Sequence, residues 1–96
     1  MTVSTHVLDT SRGRPASGVP VSLERDGAVV AAGVTDADGR VGSFGSVPPG
    51  PYRLVFDTAA HSEFFPRVSV DFTVGDERLH VPLLLNPFGY STYRGS

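Results

Sequence analysis

The sequence predicts an all-β domain built as a two-sheet β-sandwich. Short segments rich in valine, leucine and phenylalanine are separated at close intervals by glycine and proline, of which the chain has 11 and 8. Several segments alternate apolar and polar residues, as strands with one buried face do. The chain has 96 residues, so we expect one domain over residues 1–96.

The alternation and the turn signals place about eight strands along the chain. The predicted strands cover residues 3–8, 19–23, 28–35, 40–44, 52–56, 68–74, 79–85 and 90–93. A polar loop over residues 10–18 ends the first strand. The pair Asp26-Gly27 suits a tight hairpin, because both residues tolerate a positive φ. The prolines in Pro48-Pro49-Gly50-Pro51 break the chain before the fifth strand.

A short helix is expected in one place, residues 58–65, where Ala, Ser, Glu and His replace the β-branched pattern. Pro66 must end it, because proline lacks the backbone N–H that a helix interior needs. The predicted fold is therefore a sandwich of about eight strands with one short helix.

Composition excludes several classes of function. The formal net charge is −2 and charged residues make up 19% of the chain, which argues against a nucleic acid as partner. Hydrophobic residues make up 40%, which argues against disorder. The absence of cysteine excludes disulfides, a thiolate nucleophile and thiolate metal ligands.

The first residues carry no basic segment followed by an apolar one, so no signal peptide is expected. The longest apolar run is too short to span a membrane, and we expect no membrane partner and a cytoplasmic location. A small chain without disulfides commonly gains stability by oligomerising.

Strand parity gives the first indication of a site. His6 lies on the face opposite to Val3 and Val7, and His80 lies on the face opposite to Leu79, Val81, Leu83 and Leu85. If the outer faces of the two strands meet, both imidazoles lie in one cleft. A neutral imidazole is the natural base near pH 7. The alternative is a pair of unrelated, solvated strand histidines.

Arg40 follows the turn formed by residues 36–39 and begins a short strand. A planar guanidinium at that place can hold a carboxylate or a polarised carbonyl, although an exposed turn residue is the simpler interpretation. The turn lacks the later ligands of a calcium loop. We expect no metal and no cofactor.

The apolar run of residues 79–85 continues to a polar end, Tyr93-Arg94-Gly95-Ser96. Chain ends usually fray, because few contacts hold them. A docked end would bring a phenol, a guanidinium, a hydroxyl and a carboxylate into a packed place, as a site would need. The alternative is a last strand that only closes a sheet.

Three separated motifs resemble those of the 5-hydroxyisourate hydrolases, the transthyretin-related proteins of purine breakdown. They are S-T-H-V-L-D-T-S-R-G-R-P-A at residues 4–16, T-D-A-D-G-R at residues 35–40, and H-V-P-L-L-L at residues 80–85 followed by Y-S-T-Y-R-G-S at the end. The Y-R-G-S end is specific, because transthyretin, the non-enzymatic relative, lacks it and lacks the histidines.

The resemblance implies a transthyretin-like (prealbumin-like) sandwich and a homotetramer, a dimer of dimers with active sites at the dimer–dimer interface. It implies hydrolysis of 5-hydroxyisourate to 2-oxo-4-hydroxy-4-carboxy-5-ureidoimidazoline in urate degradation. It implies catalytic roles for His6, Arg40 and His80. Substrate-binding roles are implied for Tyr93, Arg94, Gly95 and Ser96.

Two features qualify this interpretation. Residues 57–66 are several residues shorter than is common in that family, so the helix is expected to be trimmed. Residues 18–23, 35–40 and 47–54 also resemble carboxypeptidase regulatory-like sandwiches, so a non-catalytic binding module of that kind, or a transthyretin-like carrier, is the alternative. Neither explains why His6, His80 and the Y-R-G-S end occur together.

Overall fold

The computed structural model describes residues 1–95, which form nine strands in two sheets. The strands are β1 (Val3–Asp9), β2 (Arg14–Pro15), β3 (Pro20–Arg25), β4 (Ala28–Val34), β5 (Arg40–Val41), β6 (Gly50–Asp57), β7 (Arg67–Val74), β8 (Leu79–Asn86) and β9 (Gly89–Thr92). One sheet has the order β2-β1-β8-β9, with β5 also paired to β1, and the other has the order β4-β3-β6-β7. The predicted all-β sandwich is confirmed.

The structure differs from the predicted elements mainly at short strands. β2 lies inside the segment expected to be a loop, and the strand predicted over residues 40–44 is only the two-residue β5. Both short strands pair with the same edge of β1, β2 at Leu8 and Asp9 and β5 at Thr5 and His6.

The short helix predicted for residues 58–65 is wrong: the described residues of this segment form a turn. The carbonyl of Thr58 accepts hydrogen bonds from the amides of His61 and Ser62, both at 2.9 Å, which makes a single turn. The Ser62 hydroxyl then accepts from the Phe65 amide, and the Thr58 hydroxyl donates to the Phe65 carbonyl. These side-chain bonds direct the chain back toward β7. In residues 1–95 no helix is long and apolar enough to cross a membrane.

The core lies between the two sheets and consists of alternate residues of the long strands. Fully buried apolar side chains come from both sheets: Val3, Val7, Leu83 and Leu85 from one, and Leu23, Leu54, Phe56, Val68 and Val74 from the other. Burying each such side chain contributes about 1.5–3 kcal/mol. Because the side-chain period of a strand is two, this burial turns the intervening residues of β1 and β8 outward.

The parallel pairing of β1 with β8 sets the register of the first sheet. It runs without interruption from the pair Val3 and Leu79 to the pair Asp9 and Leu85. The buried Thr5 hydroxyl donates to the Val81 carbonyl at 2.5 Å and links the same two strands. The outward residues of β1 therefore lie beside the outward residues of β8.

The turn before β5 is pressed against β1. The Asp36 carboxylate accepts from the amides of Asp38 and Arg40, at 2.9 and 3.0 Å. Gly39 has a φ of +76°, its carbonyl accepts from the Val7 amide at 2.7 Å, and a Cβ built on it would lie 2.5 Å from the Val7 carbonyl oxygen. Only glycine fits both this backbone conformation and this close approach.

We expect Gly39→Ala to be more destabilising than Gly27→Ala, a matched control. Gly27 has a φ of +79°, but nothing lies within 4 Å of the place that a Cβ would take. Its variant should therefore lose only about 1–2 kcal/mol of stability, the cost of a left-handed backbone conformation for a residue with a Cβ. Gly39→Ala adds overpacking and should lose a further ~1–3 kcal/mol. Urea unfolding of both variants measures the difference, and equal losses would contradict the close packing of the turn on β1.

Candidate active site

The two strand histidines are neighbours on the outer face of the first sheet. His6 lies on β1 and His80 on β8, and both side chains are half-buried. Their ring centroids are 6.5 Å apart and the ring planes are tilted by 38°. The sequence predicted the outward orientation of each ring, and the parallel pairing of β1 with β8 supplies their proximity.

Arg40 lies at the same site, on the other side of His6. Its Cα is the partner of the His6 Cα in the antiparallel pairing of β1 with β5. Arg40 is exposed, and its positive charge lowers the pKa of His80. Three separate strands thus bring together the three residues expected to be catalytic.

Ser4 is a member of this cluster that was not predicted from the sequence. Its Cα is the partner of the His80 Cα, and its hydroxyl oxygen lies 2.8 Å from Nδ1 of His80. The alternation along β1 that turns His6 outward also turns Ser4 outward, so the sequence already assigned Ser4 to the outer face. The missing information was that β8 lies next to β1 in this register.

The environment favours the neutral form of His80. Burial lowers the pKa of its imidazole from the ordinary value of 6.5, and the nearby charges of Arg40 and of protonated His6 lower this pKa further. Both effects penalise the imidazolium form. The lowered pKa favours the unprotonated imidazole of His80, the state that a general base needs.

The end of the chain is docked beside His80 through Gly95. The Gly95 amide donates to the His80 carbonyl at 2.8 Å, an isolated antiparallel bridge. A Cβ on Gly95 would lie 2.7 Å from Cδ2 of the His80 ring, so a larger residue would push the ring aside. Ser96, also expected at the site, lies outside the described residues.

Tyr93 and Arg94 are placed differently from Gly95. They line a groove of about 300 Å³ together with Leu79 and Val81, which lie on the core-facing side of β8. Tyr93 is 57% exposed, and Nη2 of Arg94 lies 3.0 Å from the Glu77 carboxylate at the surface. In the single chain, these two side chains are not gathered around the imidazoles.

The third histidine, His61, lies apart from the pair. Its Nδ1 is 4.0 Å from the buried carboxylate of Asp9, at the end of β1.

Within residues 1–95 no three His, Asp or Glu side chains are grouped so that they could hold a metal ion. The site chemistry available to the described chain is that of two imidazoles, a guanidinium and a hydroxyl.

Comparison with known proteins identifies the family. A family model described as "HIUase/Transthyretin family" matches residues 3–95. The chain belongs to this family. It is 42% identical to the 5-hydroxyisourate hydrolase of Deinococcus radiodurans, over 98% of this chain and 95% of that protein. It is 46% identical to the Arabidopsis thaliana protein named "Uric acid degradation bifunctional protein TTL", of which it spans only 37%.

Solved structures of the family confirm the transthyretin-like fold. The 5-hydroxyisourate hydrolase of Klebsiella pneumoniae superposes with a TM-score of 0.92 at 46% identity, over the whole of both chains. Sea bream transthyretin, solved with thyroxine, superposes with a TM-score of 0.85 at 31% identity, over 97% of this chain and 93% of that one. The fold is thus common to a protein named as a hydrolase and to a protein solved in complex with thyroxine.

We expect that Arg40→Gln raises the pKa of His80, because loss of the positive charge removes one of the effects that disfavour the imidazolium. Burial remains, so the pKa should stay below its ordinary value. Titration of the His80 ring by NMR measures this. Arg67→Gln, which removes an exposed arginine from the other sheet, is the control and should leave the His80 titration in place. An unchanged titration in Arg40→Gln would show that Arg40 does not act on this ring.

Proposed function

We propose that the protein is a 5-hydroxyisourate hydrolase that converts 5-hydroxyisourate to 2-oxo-4-hydroxy-4-carboxy-5-ureidoimidazoline in urate degradation, with residues 1–96 as one hydrolase domain. The observation that supports it best is the imidazole pair, with centroids 6.5 Å apart, in a chain whose relatives bear that name. Transthyretins share the fold, so the fold alone is also compatible with a small-ligand carrier. The imidazoles and the guanidinium on one face favour the enzyme.

The reaction breaks a ring C–N bond with water. The water oxygen bonds to the carbonyl carbon, and the water proton ends on the departing ring nitrogen, so no oxidant or reductant is needed. Such a reaction requires a base for the water, donors for the oxyanion that develops on the carbonyl oxygen, and a proton for the nitrogen. The site offers a group for each task.

We assign the base to His80. Its lowered pKa keeps the imidazole unprotonated, so a ring nitrogen is free to take a proton from water. The separation of 6.5 Å between ring centroids exceeds that of two directly hydrogen-bonded rings and suits a bridging water or substrate atom. His6 then lies where it can pass a proton toward the leaving nitrogen.

Arg40 has two effects in this mechanism. Its guanidinium stabilises negative charge on the carbonyl oxygen as water attacks, the kind of interaction that strengthens in the transition state. The same charge helps to keep His80 neutral between turnovers. One side chain therefore assists both the base and the oxyanion.

The docked end would complete the substrate site. Gly95 holds the backbone of His80 and closes one side of its ring. The ion pair of Arg94 with Glu77 is solvent-exposed, and such pairs contribute about 1 kcal/mol or less, so Arg94 can exchange it for a substrate oxygen. Substrate-binding roles for Tyr93, Arg94, Gly95 and Ser96 stay predictions.

A homotetramer, a dimer of dimers with the active sites at the dimer–dimer interface, is part of the proposal. In the single chain Arg40 is exposed and both imidazoles are half-buried, so the site is open on one side. Phe88, in the connection between β8 and β9, is 77% exposed, and a neighbouring subunit would cover it. The cytoplasmic location also stays a prediction.

The direct test follows the ultraviolet decay of freshly made 5-hydroxyisourate. We expect the protein to accelerate this decay and His6→Gln or His80→Gln to lose about 10²–10⁴-fold of kcat, the usual contribution of positioned acid–base catalysis. Arg40→Gln should lose a comparable factor, about 10²–10³-fold, typical of an oxyanion donor.

The third histidine provides the matched control. His61→Gln removes an imidazole outside the site and should keep wild-type kcat. If the wild-type protein does not accelerate the decay, the proposed function is wrong. If it does, but folded His80→Gln and Arg40→Gln keep wild-type rates, the catalytic site lies elsewhere.

A further inference from the structure

We propose that Ser4 is a positioning residue for the hydrolysis: its hydroxyl accepts a hydrogen bond from Nδ1–H of His80 and so leaves Nε2 as the nitrogen that takes the proton from water. This inference rests on the proposed function and assigns a part in it to a residue of β1. The contact that carries it is the 2.8 Å distance between the Ser4 hydroxyl oxygen and Nδ1 of His80.

The fold holds this contact in place from both strands. Ser4 and His80 are Cα partners in a parallel pairing seven residue pairs long. Immediately beside them, the buried Thr5 hydroxyl donates to the Val81 carbonyl at 2.5 Å. The position of the Ser4 hydroxyl relative to the ring is therefore fixed by the register of β1 and β8, with little freedom for the strands to slide.

The remaining contacts of the ring agree with this orientation. Nδ1 and Cδ2 are the two ring atoms bonded to Cγ. Ser4 contacts Nδ1, and Gly95 packs so close to Cδ2 that a Cβ would lie 2.7 Å from it. Both atoms next to the strand are thus occupied, and Cε1 and Nε2 form the edge of the ring directed away from β8.

The proposed role of Nε2 determines the direction of the hydrogen bond between Ser4 and Nδ1. A neutral ring carries one N–H, so Nε2 can accept a proton only when Nδ1 carries the hydrogen. In that tautomer Nδ1–H donates to the Ser4 oxygen. After Nε2 takes the proton, the imidazolium still has Nδ1–H, so the same hydrogen bond persists through the step. Ser4 thereby supplies the acceptor that the Nδ1–H tautomer needs.

The Ser4 hydroxyl orients the His80 ring without adding charge to the site. A carboxylate at the same place would also orient the ring, but it would stabilise the imidazolium and raise the pKa of His80. Serine fixes the ring and leaves intact the effects of burial and of Arg40, which lower this pKa. Ser4 therefore orients the His80 ring, and burial and Arg40 favour its neutral form.

The test compares Ser4→Ala with Ser4→Thr. Ser4→Ala should lower kcat about tenfold, the kinetic equivalent of one lost hydrogen bond, with little change in KM. Ser4→Thr keeps a hydroxyl and should recover most of the rate. Ser22→Ala is the control, because Ser22 is also a half-buried strand serine and forms no side-chain hydrogen bond with the described residues. Its kcat should equal that of the wild type.

A spectroscopic measurement separates this proposal from the proposed function. Nitrogen-15 NMR of the His80 ring reports its tautomer in the absence of substrate. We expect Nδ1–H to predominate in the wild type and in Ser4→Thr and to lose its predominance in Ser4→Ala. The same tautomer balance in Ser4→Ala, or equal loss of kcat in folded Ser4→Thr and Ser4→Ala, would overturn the role of the hydroxyl. Failure of the wild type to hydrolyse 5-hydroxyisourate would instead refute the proposed function.

Discussion

The parallel pairing of β1 with β8 is the constraint on which the site depends. A slip of one residue would turn Ser4 and His6 into the core and expose Val3 and Val7, which are fully buried. The apolar residues of the two strands therefore hold the polar ones in register, because moving either set moves the other. The site needs no special backbone strain at the histidines themselves; it uses the outward half of a well-packed sheet.

Three basic groups on one face have an electrostatic consequence. The positive charges of Arg40 and of protonated His6 repel a protonated His80, which adds to the effect of burial in lowering the pKa of His80. Because this pKa is below that of the unfolded chain, the unfolded state binds the proton more readily as the pH falls below about 6.5. The site therefore lowers the free energy of unfolding in acid. It lowers this free energy least at neutral pH and above, where His80 is also in its unprotonated, active form.

Strand parity predicted much of the site, since alternation along β1 and β8 assigns His6 and His80 to the outer face before any strand order is known. Parity says nothing about which strands are neighbours, so the contact of Ser4 with His80 could not be predicted. The helix over residues 58–65 was wrong because Thr58 and Ser62 bond to nearby backbone groups and leave room for only one turn. The pairing of Arg94 with Glu77 depends on the path of the chain after β7, which composition does not specify.

The most direct measurement of the central claim is a crystal structure of the protein with a non-hydrolysable purine analogue. If the two imidazoles and Arg40 form one substrate site, the analogue lies between His6 and His80. We expect one of its polar atoms within hydrogen-bond distance of Nε2 of His80 and one of its oxygens facing Arg40. An analogue bound in the groove beside Tyr93, with neither imidazole in contact, would contradict this assignment.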